Sequence, residues 1–284
     1  GATGALINLL VNTFMGLSIG SVVVVAQDYG AGNVSDLNDS IHTSIAISII
    51  CGLIVMVLGL IFCSPLLILT GTPEDILDLS LLYMRIYFLG VPASMVYNFG
   101  AAILRAVGDS RRPMYYLIIS GVVNVILNLF FVIVLHMSVD GVAWATIISQ
   151  LLSMVLIIIC LCRSDIMGIR FMPRQMRISR DKLKKIVKIG LPAGLQSALF
   201  SISNVMIQSA VNSFGSVMVA ASSAASNIEG FVGTTMNAYY NAAISFTGQN
   251  MGAKKYDRID KIAKICTVLI FATWIIMCSA ILLF

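Results

Sequence analysis

Charge is scarce in this chain. Asp, Glu, Lys and Arg make up 11% of its 284 residues, hydrophobic residues make up 58%, and the mean hydropathy is +0.95. A soluble domain carries about 25% charged residues, so this chain cannot cover a globule with a polar surface and requires an apolar solvent. Histidine is rarer still. His42 and His136 stand at the ends of expected helices with no partner motif for metal or nucleophilic chemistry, so no enzyme activity, metal or cofactor is expected. The six cysteines (Cys51, Cys63, Cys160, Cys162, Cys266 and Cys278) lie in or at the ends of apolar stretches without metal-ligand spacing, and read as small packing residues. A basic leader is lacking too. The chain opens on Gly1-Ala2-Thr3-Gly4 and closes inside the apolar run Ile281 to Phe284, so both ends read as cuts in a longer protein.

Long apolar runs are what the chain does have. A spanning helix needs about 20 mostly apolar residues, and the runs predict eight helices near 5–28, 41–63, 77–104, 114–136, 141–162, 186–212, 217–249 and 262–284. Pro65, Pro73, Pro113 and Pro173 fall in the connections, as chain breakers should. The expected fold is therefore an all-α, multi-pass membrane helix bundle.

Lys and Arg are distributed to one side of that bundle. Taking alternate connections as one side, 29–40, 105–113, 163–188 and 250–264 hold every Lys and Arg except Arg85. The opposite side holds Glu74, Asp75, Asp78, Asp140 and Glu229. Cytoplasmic connections retain Lys and Arg, so the basic side is expected to be cytoplasmic. This placement removes the case for nucleic-acid binding that a net charge of +5 raises. Connection 29–40 has no Lys or Arg and joins that side by parity alone.

A repeat divides the chain. Gln27-Asp28-Tyr29-Gly30-Ala31 and Gln249-Asn250-Met251-Gly252-Ala253 share Q-x-x-G-A, each closing a helix on the basic side at an offset of 249 minus 27, or 222. The copies face the same way, so the repeats are parallel and related by an axis along the membrane normal. The expected organisation is a first lobe over 1–163, a cytoplasmic linker over 164–189 and a second lobe over 190–284. The intact protein should have about twelve helices, six per lobe.

Polar residues recur along single helix faces. Ser197, Ser201, Asn204, Gln208 and Asn212 form one stripe; Glu229, Asn237, Asn241 and Ser245 form another, with Tyr240 adjacent. Asn8 and Asn12 lie one turn apart, as do Asn124 and Asn128, and Gln150 lies on the next helix. Such residues act either as interhelical hydrogen-bonding glue or as the lining of a substrate and ion path; for Asn124 and Asn128 the glue reading is favoured. Glu229, about 30 Å along a helix from Gln249, is either an ion-coupling acid or an ordinary interfacial one. Arg85 could pair with it or with Asp78, or snorkel. Pro92 and Pro192 favour kinks that suit bending helices.

The motifs resemble one family, the multidrug and toxic compound extrusion transporters. Ala26 to Asn33 is similar to that family's A-Q-x-x-G-A-G-[ND] turn, and Leu104-Arg105-Ala106-Val107-Gly108-Asp109-Ser110-Arg111-Arg112-Pro113 to its L-R-G-x-G-D-[ST]-[RK]-x-P loop. Asn124 to Asn128, Gly141 to Thr146, Gly190-Leu191-Pro192 and Gly248 to Ala253 follow in the family's order. The resemblance covers family helices two to nine. It implies two lobes around a cleft, alternating access and export of a small-molecule drug or toxin by H⁺ or Na⁺ antiport, by a monomer in the cell membrane. Gln27, Gly30, Arg105, Gly108, Asp109, Pro113, Gln249 and Gly252 would be structural or gating positions. The family's first-helix coupling acid would precede this chain, and residues 193–212 contain no Asp or Glu where some members carry one. Some members have Asp where Asn128 stands. A lipid-linked glycan flippase of similar fold would need a more cationic cavity, and a membrane enzyme or structural subunit would need a constellation or surface not seen here.

Overall fold

The computed structural model describes residues 2–69, 74–166, 170–212, 214 and 216–283. Eight long helices are described: α1 (Ala2–Ala31), α2 (Val34–Leu69), α3 (Glu74–Ala106), α4 (Arg111–Leu129), α5 (Val139–Arg163), α6 (Arg180–Asn212), α7 (Ser216–Gly252) and α8 (Tyr256–Leu283). A π-helical turn, Phe130–Val134, ends α4, and a 3₁₀ turn, Pro173–Gln175, lies in the connection before α6. The all-α expectation holds, and seven of these helices are long and apolar enough to cross a membrane. Among the described residues α7 is the exception, because Ser, Thr, Asn and Gly are spread along it.

Several boundaries differ from the sequence reading. Pro65 does not break α2 but sits inside it, as Pro92 and Pro192 sit inside α3 and α6. Membrane helices tolerate such prolines because neighbours re-satisfy the freed backbone groups. His42 is not at a helix end; it is buried within α2, its Nδ1 2.9 Å from the Asn38 carbonyl and its ring against Phe171. Pro73 lies outside the described residues, as do the side chains of Glu74, Asp75, Asn8, Gln208 and Asn212.

The connection expected over 29–40 shrinks to Gly32 and Asn33. Gly32 takes φ +69, in the left-handed region that favours glycine. Asn33 then caps α2, its Oδ1 accepting from the Asp36 amide at 3.3 Å. The 222 offset carries this turn to the end of α7. Lys254, the counterpart of Gly32, takes φ 57. The Gly32 amide donates to the Tyr29 carbonyl at 3.1 Å, and the Lys254 amide donates to the Met251 carbonyl at 3.1 Å. The following helices begin at Val34 and Tyr256, again 222 apart (256 minus 34). The repeat is therefore one of backbone geometry as well as sequence.

The L-R-x-x-G-D loop is two caps in succession. Gly108 (φ +93) ends α3, with its amide bonded to the Arg105 carbonyl at 3.0 Å and the Asp109 amide to the Leu104 carbonyl at 2.9 Å. Asp109 then opens α4, its Oδ1 accepting from the Arg112 amide at 3.2 Å and its Oδ2 facing Arg112 Nε at 2.9 Å. A β-carbon at Gly108 would meet nothing within 4 Å, so only the backbone conformation demands glycine. Gly108→Ala is expected to cost about 1–2 kcal/mol from the left-handed penalty alone, read as a lower melting temperature in detergent, with Gly108→Asn closer to wild type.

Two apolar cores hold α1, α2, α3 and α5 together. One gathers Val25, Leu37, Ile41, Tyr97, Leu104, Ile157 and the linker residue Phe171 at the end carrying the basic connections. The other gathers Ile47, Val55, Met84, Phe88, Phe99 and Ile186 deeper in the bundle. Apolar side chains cover the outsides of α4 and α8 as well, from Leu117 and Ile126 to Val268 and Ile276. Lipid is as apolar as these residues, so helix association rests on close packing of small residues. Ser21, Ser40, Ser44, Ser48, Ser149 and Ser153 are accordingly buried.

Candidate functional site

The last turns of α1 cross the last turns of α7 through the two copies of Q-x-x-G. A β-carbon on Gly30 would fall into the backbone of Gln249, 2.8 Å from its Cα, and one on Gly252 would fall into the backbone of Gln27, 2.9 Å from its Cα. Ala26 and Gly248, also repeat counterparts, face each other: a β-carbon on Gly248 would lie 2.7 Å from that of Ala26. Gln249 reaches past this crossing and donates from Nε2 to the Ala106 carbonyl at 2.7 Å. Four of the motif positions, Gln27, Gly30, Gln249 and Gly252, thus meet at one point.

A second seam runs from this crossing toward the middle of the bundle. Helices α1 and α6 are antiparallel, and each step of four down α1 is met by a step of four up α6. A β-carbon on Gly20 would lie 3.0 Å from the Gly190 amide, and one on Gly190 would lie 2.6 Å from the Leu17 Cα; Gly16 abuts Gly194. The Gly-Leu-Pro segment that opens the expected second lobe supplies this close approach through Gly190.

Charges finish the same end. Lys182, at the start of α6 and 3% exposed, places its ammonium 2.7 Å from Asp28 Oδ2 at the end of α1 and 3.4 Å from Asp36 Oδ1 in the first turn of α2. The Ser40 hydroxyl donates to the same Asp28 oxygen. Arg177 pairs with Asp39, and the Ser179 amide donates to Thr43 Oγ1 at 3.0 Å. Arg112 bonds Ser164. These contacts bring 29–40, 105–113 and 163–188 to one end, and the Gln249 bond adds the end of α7. Segment 29–40 has no Lys or Arg of its own, and its Asp36 and Asp39 face Lys182 and Arg177 of the linker.

Away from that end the described stripe residues differ in exposure, with Ser197 and Ser201 half-buried and Ser245 buried. The side chains of Asn204, Glu229, Asn237 and Tyr240 are exposed, and those of Asn12 and Asn241 are half-buried. On α7 the stripe bonds only to its own helix: Asn237 to the Gly233 carbonyl (3.1 Å), Asn241 to Asn237 (2.8 Å) and Ser245 to Asn241 (2.9 Å). These groups are not spent as glue between helices among the described residues. Tyr239, on a neighbouring face, does bridge α7 to α8, at 2.7 Å from Thr273 Oγ1. Arg85 is exposed and pairs with neither Asp78 nor Glu229.

A separate polar cluster sits between α4 and α5. Asn124 donates to Ser149 Oγ at 3.2 Å, which is the interhelical bond expected of it, and Asn128 donates to Asn124 Oδ1 at 3.1 Å. Among the described residues the buried Asn128 Oδ1 has no partner there; Gln150 faces α3 instead, its Oε1 2.7 Å from where a β-carbon on Gly90 would stand. The cluster can therefore still accept from a proton donor or face a cation.

Sequence reasoning missed Asp28 and Lys182. Asp28 occupied an unspecified position of a motif, and Lys182 was one of nine bases counted only for topology. The alternation of acids over 28–39 with bases over 177–182 was the available signal.

Residues 1–130 and 192–284 match the family model MatE. The probable multidrug resistance protein YoeA of Bacillus subtilis (strain 168) is 29% identical over 265 residues, covering 90% of this chain and 57% of that protein. The FAD transporter of Shewanella oneidensis is 25% identical over 250 residues, covering 86% of this chain and 55% of that protein. This chain therefore spans a little over half the length of these relatives. Among solved structures, the outward-facing conformation of a multidrug resistance MATE family transporter of the MOP superfamily superposes with a TM-score of 0.86 at 22% identity, over 100% of this chain and 64% of that one. A MATE structure in complex with MaD5 gives 0.88 at 23% identity, over 99% of this chain and 64% of that one.

Proposed function

The chain belongs to the MatE family of multi-pass membrane transporters, and on that premise we propose that it exports amphipathic or cationic small molecules by alternating access, driven by inward flux of H⁺ or Na⁺. The observation that carries this reading is the closure of the basic end. Backbone-to-backbone glycine seams and ion pairs join α1 to α6 and α7 there. With the basic end in the cytoplasm, closure there is what an outward-facing state requires. Residues 1–163 and 190–284 act as the two lobes, joined by 164–189, and the protein works as a monomer in the cell membrane.

The substrate and ion path in this reading is lined by Asn12, Asn204, Asn237, Tyr240, Asn241 and Glu229, together with Asn8, Gln208 and Asn212. Glu229 supplies negative charge that attracts a cationic substrate. The unpaired acceptor of Asn128 supplies a second place where a cation or proton donor can be held.

Expressed in a host lacking its own efflux pumps, the full-length protein should extrude ethidium only while an ion gradient is maintained. Glu229→Gln should slow extrusion of cationic dyes about fivefold, near 1 kcal/mol, and leave neutral amphipathic compounds unchanged. Absence of gradient-dependent extrusion across a panel of cationic dyes would overturn the proposal.

A further inference from the structure

We propose that the Asp28–Lys182 pair, flanked by Asp36 and Ser40, is a latch that holds the basic end shut and must separate each time that end opens. This rests on the alternating-access reading above and names the device that regulates it.

Position is the first argument. Asp28 ends α1 and Lys182 begins α6, so the pair ties the first lobe to the end of the linker that leads into the second, beyond the Gly16, Gly20 and Gly190 seam. Movement of α6 away from α1 at the basic end must part these two residues before the glycines separate.

Burial is the second. The Lys182 side chain is 4% exposed and Asp28's is 14% exposed, whereas Arg177 and Asp39 are 58% and 25% exposed. A surface pair contributes little, but removing one partner of a buried pair leaves a bare charge out of water. Any conformation that hydrates that charge is then favoured, and opening this end does so.

The third argument is asymmetry. The repeat counterpart of Asp28 is Asn250, which is uncharged and donates only to the Phe246 carbonyl of its own helix at 2.9 Å. The α1–α7 crossing is therefore built without an acid in one of its two copies. The carboxylate at position 28 serves the contact with Lys182 and Ser40 rather than the crossing.

The experiment is a spin-label distance measurement on the full-length protein, its native cysteines replaced, with labels on the exposed Ser110 and Lys255 at the basic end. Wild type should show one dominant short-distance population. Lys182→Met and Asp28→Asn should each raise a longer-distance population at least threefold, and the exchange Asp28→Lys with Lys182→Asp should return most of the short one. Should the single variants fail to fold, Asp28→Glu and Lys182→Arg keep both charges but misfit the buried contact, and each should still raise the longer-distance population. Unchanged distances in every variant that folds would overturn the latch. Ethidium extrusion by wild type, measured in parallel, separates the two ideas. Extrusion with unresponsive distances sinks the latch alone; absent wild-type extrusion sinks the export reading, and the distances still decide the latch.

Discussion

A valine at Gly30 or at Gly252 is expected to abolish extrusion, and the two substitutions together should do little more damage than either one. Each β-carbon would enter the backbone of the other repeat copy, within 2.8 Å of the Gln249 Cα or 2.9 Å of the Gln27 Cα. No rotamer relieves a clash with backbone, so α1 and α7 must move apart. Overpacking of this kind costs about 1–3 kcal/mol, occasionally more. Parting the helices also strains the 2.7 Å bond from Gln249 to the Ala106 carbonyl. Once one valine has opened the crossing, the second meets space already made, so the effects should be strongly non-additive. Melting temperatures in detergent for the two single variants and the double would decide it. Additive losses, or singles as stable as wild type, would refute the reciprocal contact.

Gly190→Ala should be almost as damaging, although one methyl group is the smallest change available. The new carbon would sit 2.6 Å from the Leu17 Cα and 2.9 Å from the Gly16 carbonyl oxygen, both backbone atoms. Gly121→Ala makes the matching comparison. It lies inside α4, where a β-carbon meets nothing within 4 Å. Alanine there should stabilise, since glycine in a helix interior is about 1 kcal/mol worse than alanine. The same substitution is thus expected to carry opposite signs at two helical glycines. Melting temperature and ethidium extrusion, measured side by side, test this; a Gly190→Ala protein with wild-type values in both would show that the α1–α6 seam is looser than described.

The fold was legible because lipid imposes simple rules. Backbone groups must pair within a helix, so long apolar runs can be little else. The offset of 222 was visible in Q-x-x-G-A, and the starts of α2 and α8, expected at 41 and 262, stand at Val34 and Tyr256, again 222 apart. Helix ends were less legible. Segment 29–40 is polar and reads as a loop, yet its Asp36 and Asp39 face bases from a linker more than a hundred residues away, and that pairing lets the helix continue. Pro65 misled for a related reason, since packing rather than local propensity decides whether a membrane helix passes through a proline.

The candidate site was legible as a set of stripes and not as a place. Periodicity puts Asn237, Asn241 and Ser245 on one face, but it cannot distinguish glue from lining. Among the described residues their bonds stay within α7. Asn124 was read correctly as an interhelical donor, whereas the unpaired acceptor beside it at Asn128 arises only when α4 and α5 are brought together.

The Q-x-x-G crossing has a consequence for how the two halves of this gene can change. Each copy of the motif is the surface on which the other copy rests, as in the isologous interface of a symmetric dimer whose subunits have been joined into one chain. A substitution at Gly30 is felt at Gln249, and one at Gly252 at Gln27, so these positions cannot drift independently. Asp28 and Asn250, one residue beyond each glutamine, differ, and only Asp28 carries a charge. The chain is bound by its own symmetry where backbones touch and free of it beside them.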